Sequence, residues 1–208
     1  MVDFHTHHVY RAGAGTGKYL LSAADGAVEG VLTSLEFHPW NSSAVTVIPE
    51  DFASRLRPCA ALGEIGLDRL RGAEWPVQLR IFDALLTIGA AEMKPVVIHS
   101  VRAAAEVIRM TADYPAPRLI HGFRGGVRRL EEYLAAGFYV SLGVPALSSP
   151  EIGDFLRRNG LERIGFESDE VPEDEYLAAF DRAARVWDIA GMEQAAESNF
   201  REFLGFND

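Results

Sequence analysis

Cysteine is nearly absent from this chain: its 208 residues include one, Cys59. A single thiol excludes an internal disulfide, so the fold must rest on its core, and a reducing, cytoplasmic setting is expected. No run of about 18 apolar residues occurs, so no membrane-spanning helix is expected. The opening Met1-Val2-Asp3-Phe4-His5 turns polar within three residues. It reads as neither a secretory signal nor an Arg/Ser-rich transit peptide. Basic charge is in deficit: 20 Lys and Arg stand against 30 Asp and Glu, a net −10. That balance argues against holding nucleic acid by bulk charge, but not against binding phosphate locally through metal ions. Repeats, low-complexity tracts and charge blocks are lacking, so nothing marks a tail or linker. No feature calls for an obligate protein partner. What is present is 48% apolar and 24% charged residues, the balance of a globular chain with a real core. The length predicts one domain, 1–208.

Short apolar runs alternate with longer helical patterns, the signature of βα units and a parallel sheet. The strand candidates are 2–7, 18–23, 30–38, 59–67, 94–100, 118–123, 138–143 and 163–169. Pro95-Val96-Val97-Ile98 and Phe138-Tyr139-Val140-Ser141-Leu142 read as buried strands. Helices are predicted over 77–91, 104–110, 130–136, 176–189 and 195–204. In the first of these, Val77, Ile81, Leu85 and Ile88 keep three- and four-residue spacing. Ser149 before Pro150 reads as an N-cap, and Gly137 and Gly160 sit where helices stop. Eight strands suggest a (β/α)8 barrel, which usually needs about 250 residues and at least about 200. The predicted fold is therefore α/β, a distorted (β/α)8 TIM barrel with reduced early βα units. Between Val9 and Gly30 there is no room for a full helix on both sides of 18–23.

Each metal-capable residue type ends a predicted strand. In Asp3-Phe4-His5-Thr6-His7, residues two apart point the same way, so His5 and His7 can offer two imidazoles to one ion. Glu64 lies near the tip of the fourth strand, and His99, His121 and Asp169 end the fifth, sixth and eighth. A parallel barrel brings its C-terminal strand ends to one face. Four imidazoles and two carboxylates suit two first-row divalent ions, with positions open for water and substrate. Glu64 could bridge them. Such a pair clamps the attacking and leaving oxygens of a phosphoryl displacement and brings the pKa of a bound water toward neutrality. Asp169 is the carboxylate best placed to ligate one ion and to orient or deprotonate that water. Singly, each residue has a plainer role. His99 could be a hydrogen-bonded core histidine, and Glu64 and Asp169 could cap the helices that follow them. Jointly those roles require independent accidents at the same end of five strands.

Several neighbours complete the picture. His38-Pro39 ends the third strand and is placed as a substrate contact or a support to the site. His8 should point away from His7 and lie at the surface. Cys59 begins a strand, far from the site, and reads as an inert packed thiol. Arg69, Arg102 and Arg124 lie just beyond strand ends, where a guanidinium suits a substrate phosphate or carboxylate or forms an ordinary salt bridge. Gly122-Phe123-Arg124-Gly125-Gly126 is the strongest anion candidate, because a glycine-rich turn into a helix exposes backbone N–H groups.

These residues, in this order, resemble the TatD family of metal-dependent hydrolases. The matching segments are Asp3-Phe4-His5-Thr6-His7, Phe37-His38-Pro39, Gly63-Glu64-Ile65-Gly66-Leu67-Asp68, Pro95-Val96-Val97-Ile98-His99-Ser100, His121-Gly122-Phe123-Arg124-Gly125, Glu167-Ser168-Asp169 and Asn199-Phe200. The resemblance implies a distorted amidohydrolase-type barrel. It implies His5, His7, Glu64 and Asp169 around one ion, and Glu64, His99 and His121 around the other. It implies a deoxyribonuclease dependent on divalent cations, with Arg124 and His38 on the substrate side. The chain departs from the family pattern in being short and in having His99-Ser100-Val101-Arg102, one residue longer than usual before Arg102. Its proline after Asp169 is also delayed by a residue, and the added Glu170 would repel a polyanion. No departure removes a metal ligand.

The expected function is a two-metal phosphodiesterase acting on DNA or a small phosphoester, with Asp169 and Glu64 catalytic and Arg124, His38 and Arg102 on the substrate. Imidazoles favour zinc, manganese or iron, and the resemblance allows magnesium. One alternative is a small-molecule ester, lactone or amide hydrolase on the same site. Such enzymes often bridge their ions with a carboxylated lysine at the fourth strand, where this chain has Glu64. The other is a metal-binding scaffold without catalysis, which the complete ligand set argues against.

Overall fold

A computed structural model describes residues 1–9 and 18–206. Its strands are β1 (Val2–Thr6), β2 (Lys18–Ala23), β3 (Leu32–Leu35), β4 (Ala61–Asp68), β5 (Val96–Val101), β6 (Arg118–Ile120), β7 (Tyr139–Leu142) and β8 (Ile164–Phe166). Its helices are α1 (Phe52–Leu56), α2 (Trp75–Ala91), α3 (Ala104–Met110), α4 (Val127–Ala135), α5 (Val144–Leu147), α6 (Pro150–Asn159), α7 (Glu173–Trp187) and α8 (Met192–Leu204), with a 3-10 turn at Pro39–Ser43. The strands follow one another in the sheet in chain order. Parallel strands in chain order, separated by helices, are the (β/α)8 pattern. The shortening falls early, as expected. No helix lies between β2 and β3, and only the 3-10 turn and the five-residue α1 separate β3 from β4. Of the connection from β1 to β2, 10–17 lies outside the described residues. No described helix is long and apolar enough to cross a membrane.

The chain divides into two compact units, Met1–Leu21 with His121–Asp208, and Ser22–Ile120. In the first unit β1 pairs with β2 and β7 with β8. A parallel bridge joins Thr6 to Asp169. Its core is aromatic: Phe4, fully buried on β1, meets Phe200 edge-on at 5.2 Å and Phe203 at 6.3 Å. Asn199 on α8 donates its amide to the carbonyls of Leu161 (2.7 Å) and Ile164 (2.8 Å), tying the last helix to the start of β8. Ser149 caps α6 by accepting from the Ile152 N–H, with Pro150 in the first turn. Proline fits there because that N–H has no partner within the helix.

In the second unit β3, β4, β5 and β6 pair in order. Helix α2 buries Ile81, Phe82, Leu85 and Leu86; of the stripe that its apolar spacing predicts, Ile81 and Leu85 are buried, while Val77 and Ile88 are only half-buried. Gln78, 3% exposed on α2, organises the loop after β4. Its amide donates to the carbonyls of Asp68, Arg71 and Ala73, and its oxygen accepts from the Asp68 N–H at 2.8 Å. Cys59 is buried, and its thiol lies 3.3 Å from the Arg55 carbonyl. Burial pushes the thiol pKa up, against the pull of Lys94 and Arg55.

Two predictions follow from this packing. A Cβ on Gly165 would lie 2.6–2.8 Å from the Phe4 ring. Gly165→Ala should therefore cost about 1–3 kcal/mol by overpacking, read as a lowered denaturant midpoint; an unchanged midpoint would contradict this core. Cys59 should react with an aromatic disulfide reagent far more slowly in the native protein than in denaturant, and equal rates would show that it is accessible.

Candidate metal centre

The second unit supplies one donor cluster around Glu64, which lies midway along β4 and not near its tip as expected. Glu64 is 2% exposed, and glycines make its placement possible. Leu62 pairs with Val96 and Ile65 with Ile98, so three steps along β4 match two along β5. An extra residue of this kind bends a strand and re-aims its side chains. Gly63 and Gly66 have φ of +141° and +149°. A Cβ at Gly66 would collide with the His99 carbonyl, and one at Gly63 would lie 2.7 Å from Val97 Cβ. Only glycine meets both demands.

Two imidazoles reach Glu64 Oε1: His38 Nε2 at 2.9 Å and His99 Nδ1 at 2.6 Å. His38 Nδ1 accepts the Trp40 backbone N–H at 3.1 Å, capping the 3-10 turn. That bond puts the His38 proton on Nε2, from which it is donated to Glu64. One donor atom from each of His38, Glu64 and His99 lies within 4.8 Å of the others.

The first unit supplies another cluster. Asp169 follows β8, where its N–H donates to the His5 carbonyl (3.0 Å) and its carbonyl accepts the His7 N–H (3.1 Å). Its φ of +58° is a strained setting for an aspartate. His5 Nε2 and His7 Nε2 lie 3.9 and 3.8 Å from Asp169 Oδ1. The His5 ring stands 5.0 Å from His7 and 4.4 Å from His121. Donors of His5, His121 and Asp169 fall within 4.8 Å of one another. Strand β1 carries the same irregularity as β4, three steps from Asp3 to Thr6 against two along β2. Both sets fit a divalent cation by donor chemistry, imidazole nitrogen with carboxylate oxygen.

The remaining expectations fall as follows. The resemblance groups His121 with Glu64 and His99; in its own unit His121 stands against His5 and Asp169. Neither carboxylate is a helix cap: Glu74 occupies that place for α2 and Pro172 for α7. His8 is exposed and contacts the Glu170 carbonyl at 3.0 Å. Arg102, with φ +53°, and Arg124 are exposed. Arg69 is taken up by Glu106 and by the face of Trp75 at 3.9 Å.

Three contributors escaped sequence reasoning. Asp68 is 2% exposed and meets His99 Nε2 at 3.1 Å through Oδ2, which also accepts Nε1–H of Trp40 at 2.6 Å. Its Oδ1 accepts the N–H groups of Leu70 (2.7 Å) and Arg71 (3.2 Å). Burial works to raise the Asp68 pKa, but hydrogen bonds from Trp40, Leu70 and His99 outweigh it and hold the carboxyl below its usual value. Glu167 is fully buried. Its Oε1 accepts the Gly122 N–H and lies 3.6 Å from His121 Nδ1, and its Oε2 has no hydrogen-bond partner among the described residues. The one available signal was parity for Asp68, four residues from Glu64 on the same strand; Glu167 lies beyond β8 and left none. Trp40 left no such signal.

Comparisons with known proteins identify the family and the fold. The family model described as TatD related DNase matches residues 12–204. No curated protein sequence matches the chain. The crystal structure of YjjV, a TatD homologue from Escherichia coli K12, superposes with TM-score 0.77 at 19% identity, covering 97% of this chain and 96% of that one. A TatD-family hydrolase from Entamoeba histolytica gives TM-score 0.74 at 13% identity, covering 97% of each chain. A probable 2-pyrone-4,6-dicarboxylic acid hydrolase from Acinetobacter baumannii gives 0.53 at 12% identity, covering 99% of this chain and 98% of that one. The strand order, the donor sets and a family match over nearly the whole chain converge: the protein belongs to the TatD-related family and has its (β/α)8 hydrolase fold.

Proposed function

We propose that the protein is a divalent-metal-dependent hydrolase of phosphodiesters, a deoxyribonuclease of TatD type that acts as a single domain and uses two ions. The observation that carries this reading is that each unit brings imidazole nitrogen and carboxylate oxygen within 4.8 Å of one another, His5, His121 and Asp169 in one and Glu64 with His99 in the other. His5, His121 and Asp169 would hold one ion, with His7 beside them, and Glu64 and His99 would hold the other. Divalent ions in such sites supply Lewis acidity toward a phosphoryl oxygen and make water nucleophilic near neutral pH.

The chain's own groups then have defined tasks. Asp169, 28% exposed in its side chain, is open to water, and its Oδ1 takes the proton of the attacking water. His38 steadies Glu64 through Nε2–H and stands on the substrate side. Arg124 and the N–H groups at the start of α4 hold a flanking phosphate. That helix begins at Gly126 without a side-chain cap, leaving those donors for an anion. Arg102 is a further contact to the substrate. The resemblance gives Glu64 the bridging role. The substrate is DNA or a small phosphoester, and the setting cytoplasmic.

The test is to strip the protein of metal, restore Mg²⁺, Mn²⁺, Zn²⁺ or Fe²⁺ in turn, and offer end-labelled single-stranded DNA beside a small phosphodiester. Metal-dependent shortening of DNA is expected, with Asp169→Asn slower by about 100-fold or more. Cleavage of the small ester alone would move the substrate to small molecules; bound metal with neither substrate cut would overturn the phosphodiesterase reading. Glu64→Gln should lose affinity for both ions if Glu64 bridges, and loss of one ion only would end that role.

A further inference from the structure

Asp68 makes four close contacts, and they are of two kinds. Oδ1 closes the turn after β4 through the backbone of Leu70 and Arg71. Oδ2 is shared between the indole of Trp40 and Nε2 of His99. Indole nitrogen only donates, and an ionised carboxylate only accepts. The His99 nitrogen facing Asp68 must therefore carry a proton. Gln78 fixes the Asp68 backbone from both sides, through its N–H and its carbonyl. The carboxylate thus has little freedom to turn away. On the opposite edge of the ring, His99 Nδ1 points at Glu64 Oε1, 2.6 Å away.

We propose that Asp68, clamped by Trp40, is a positioning residue that keeps the His99 proton on Nε2 and so presents Nδ1 as the metal-ligating atom beside Glu64. This rests on the metal-centre reading above. A carboxylate behind a ligating imidazole orients the ring and raises its basicity, and losing one typically costs about 10- to 100-fold in metal affinity. Trp40 contributes by donating its indole N–H to Oδ2, the oxygen that also meets His99 Nε2. Its own ring lies 4.7 Å from His38 and 5.9 Å from His99, and Arg71 stacks over it at 4.4 Å. One tryptophan therefore touches both imidazoles that reach Glu64.

Zinc is the probe. Zinc affinity would be measured by chelator competition for the wild type, Asp68→Asn and Trp40→Phe. Long-range ¹H–¹⁵N spectra of the zinc-loaded, ¹⁵N-histidine-labelled wild type would show which His99 nitrogen is metal-bound, the His99 signals being those lost in His99→Gln. The expected result is zinc on Nδ1 and a proton on Nε2. Zinc affinity should fall about 10- to 100-fold in Asp68→Asn and severalfold in Trp40→Phe, which keeps the ring but lacks the donor. Zinc on Nε2, or an Asp68→Asn variant within twofold of wild type, overturns the role of Asp68 and leaves the metal centre standing. A wild type that takes up no zinc overturns both. The wild-type spectrum decides the matter by itself where Asp68→Asn does not fold.

Discussion

Among the described residues four carboxylates on or just after the strands lie almost out of water: Asp3, Glu64, Asp68 and Glu167 are each 2% exposed or less. A carboxylate is tolerated there only where donors or positive charge meet it. The kind of donor separates their roles. Asp3 accepts backbone N–H groups, from His5 at 3.2 Å and Ser168 at 3.1 Å, and so fastens the end of β1 to the segment after β8. Glu64 is met by two imidazoles. Asp68 mixes both kinds. Glu167 accepts one backbone N–H and faces His121. Carboxylates answered by backbone set the shape of the strand ends, and those answered by imidazole share their surroundings with groups that bind cations.

Local backbone irregularity serves the same end. Strands β1 and β4 each carry one residue more than the strand they pair with, at the point where His5 and Glu64 must be aimed. Asp169 and Arg102 hold left-handed φ values just past the ends of β8 and β5. Non-glycine residues in that region carry a cost. Left-handed φ values also occur at Met93, Arg163 and Asp188, away from the donors, so it is the extra residues in β1 and β4 that coincide with the ligand-type side chains.

Much of this was legible in the residues. Eight strands and the placement of His5, His7, His99, His121 and Asp169 at or near their ends follow from apolar runs and the two-residue period of a strand; Glu64, expected near the tip of the fourth strand, lies midway along β4. Lengths were less legible. The third strand was read as 30–38 but forms only Leu32–Leu35, because His38 turns to cap the 3-10 turn and Pro39 begins it. Helices α1 and α5 are too short to show a periodic stripe. The supports of the site were hidden for another reason. Asp68 and Glu167 look like any polar residue near a strand end, and their importance comes from partners 31 and 46 positions away. Trp40 is 42% exposed and would pass for a surface aromatic without its bond to Asp68.

The most direct measurement is the crystal structure of zinc-loaded protein with data collected on both sides of the zinc absorption edge. The account predicts anomalous peaks bounded by His5, His121 and Asp169, and by Glu64 and His99, with Nδ1 of His99 toward the ion. Fully loaded crystals with no peak at these residues, or with zinc held only by surface carboxylates, would contradict it.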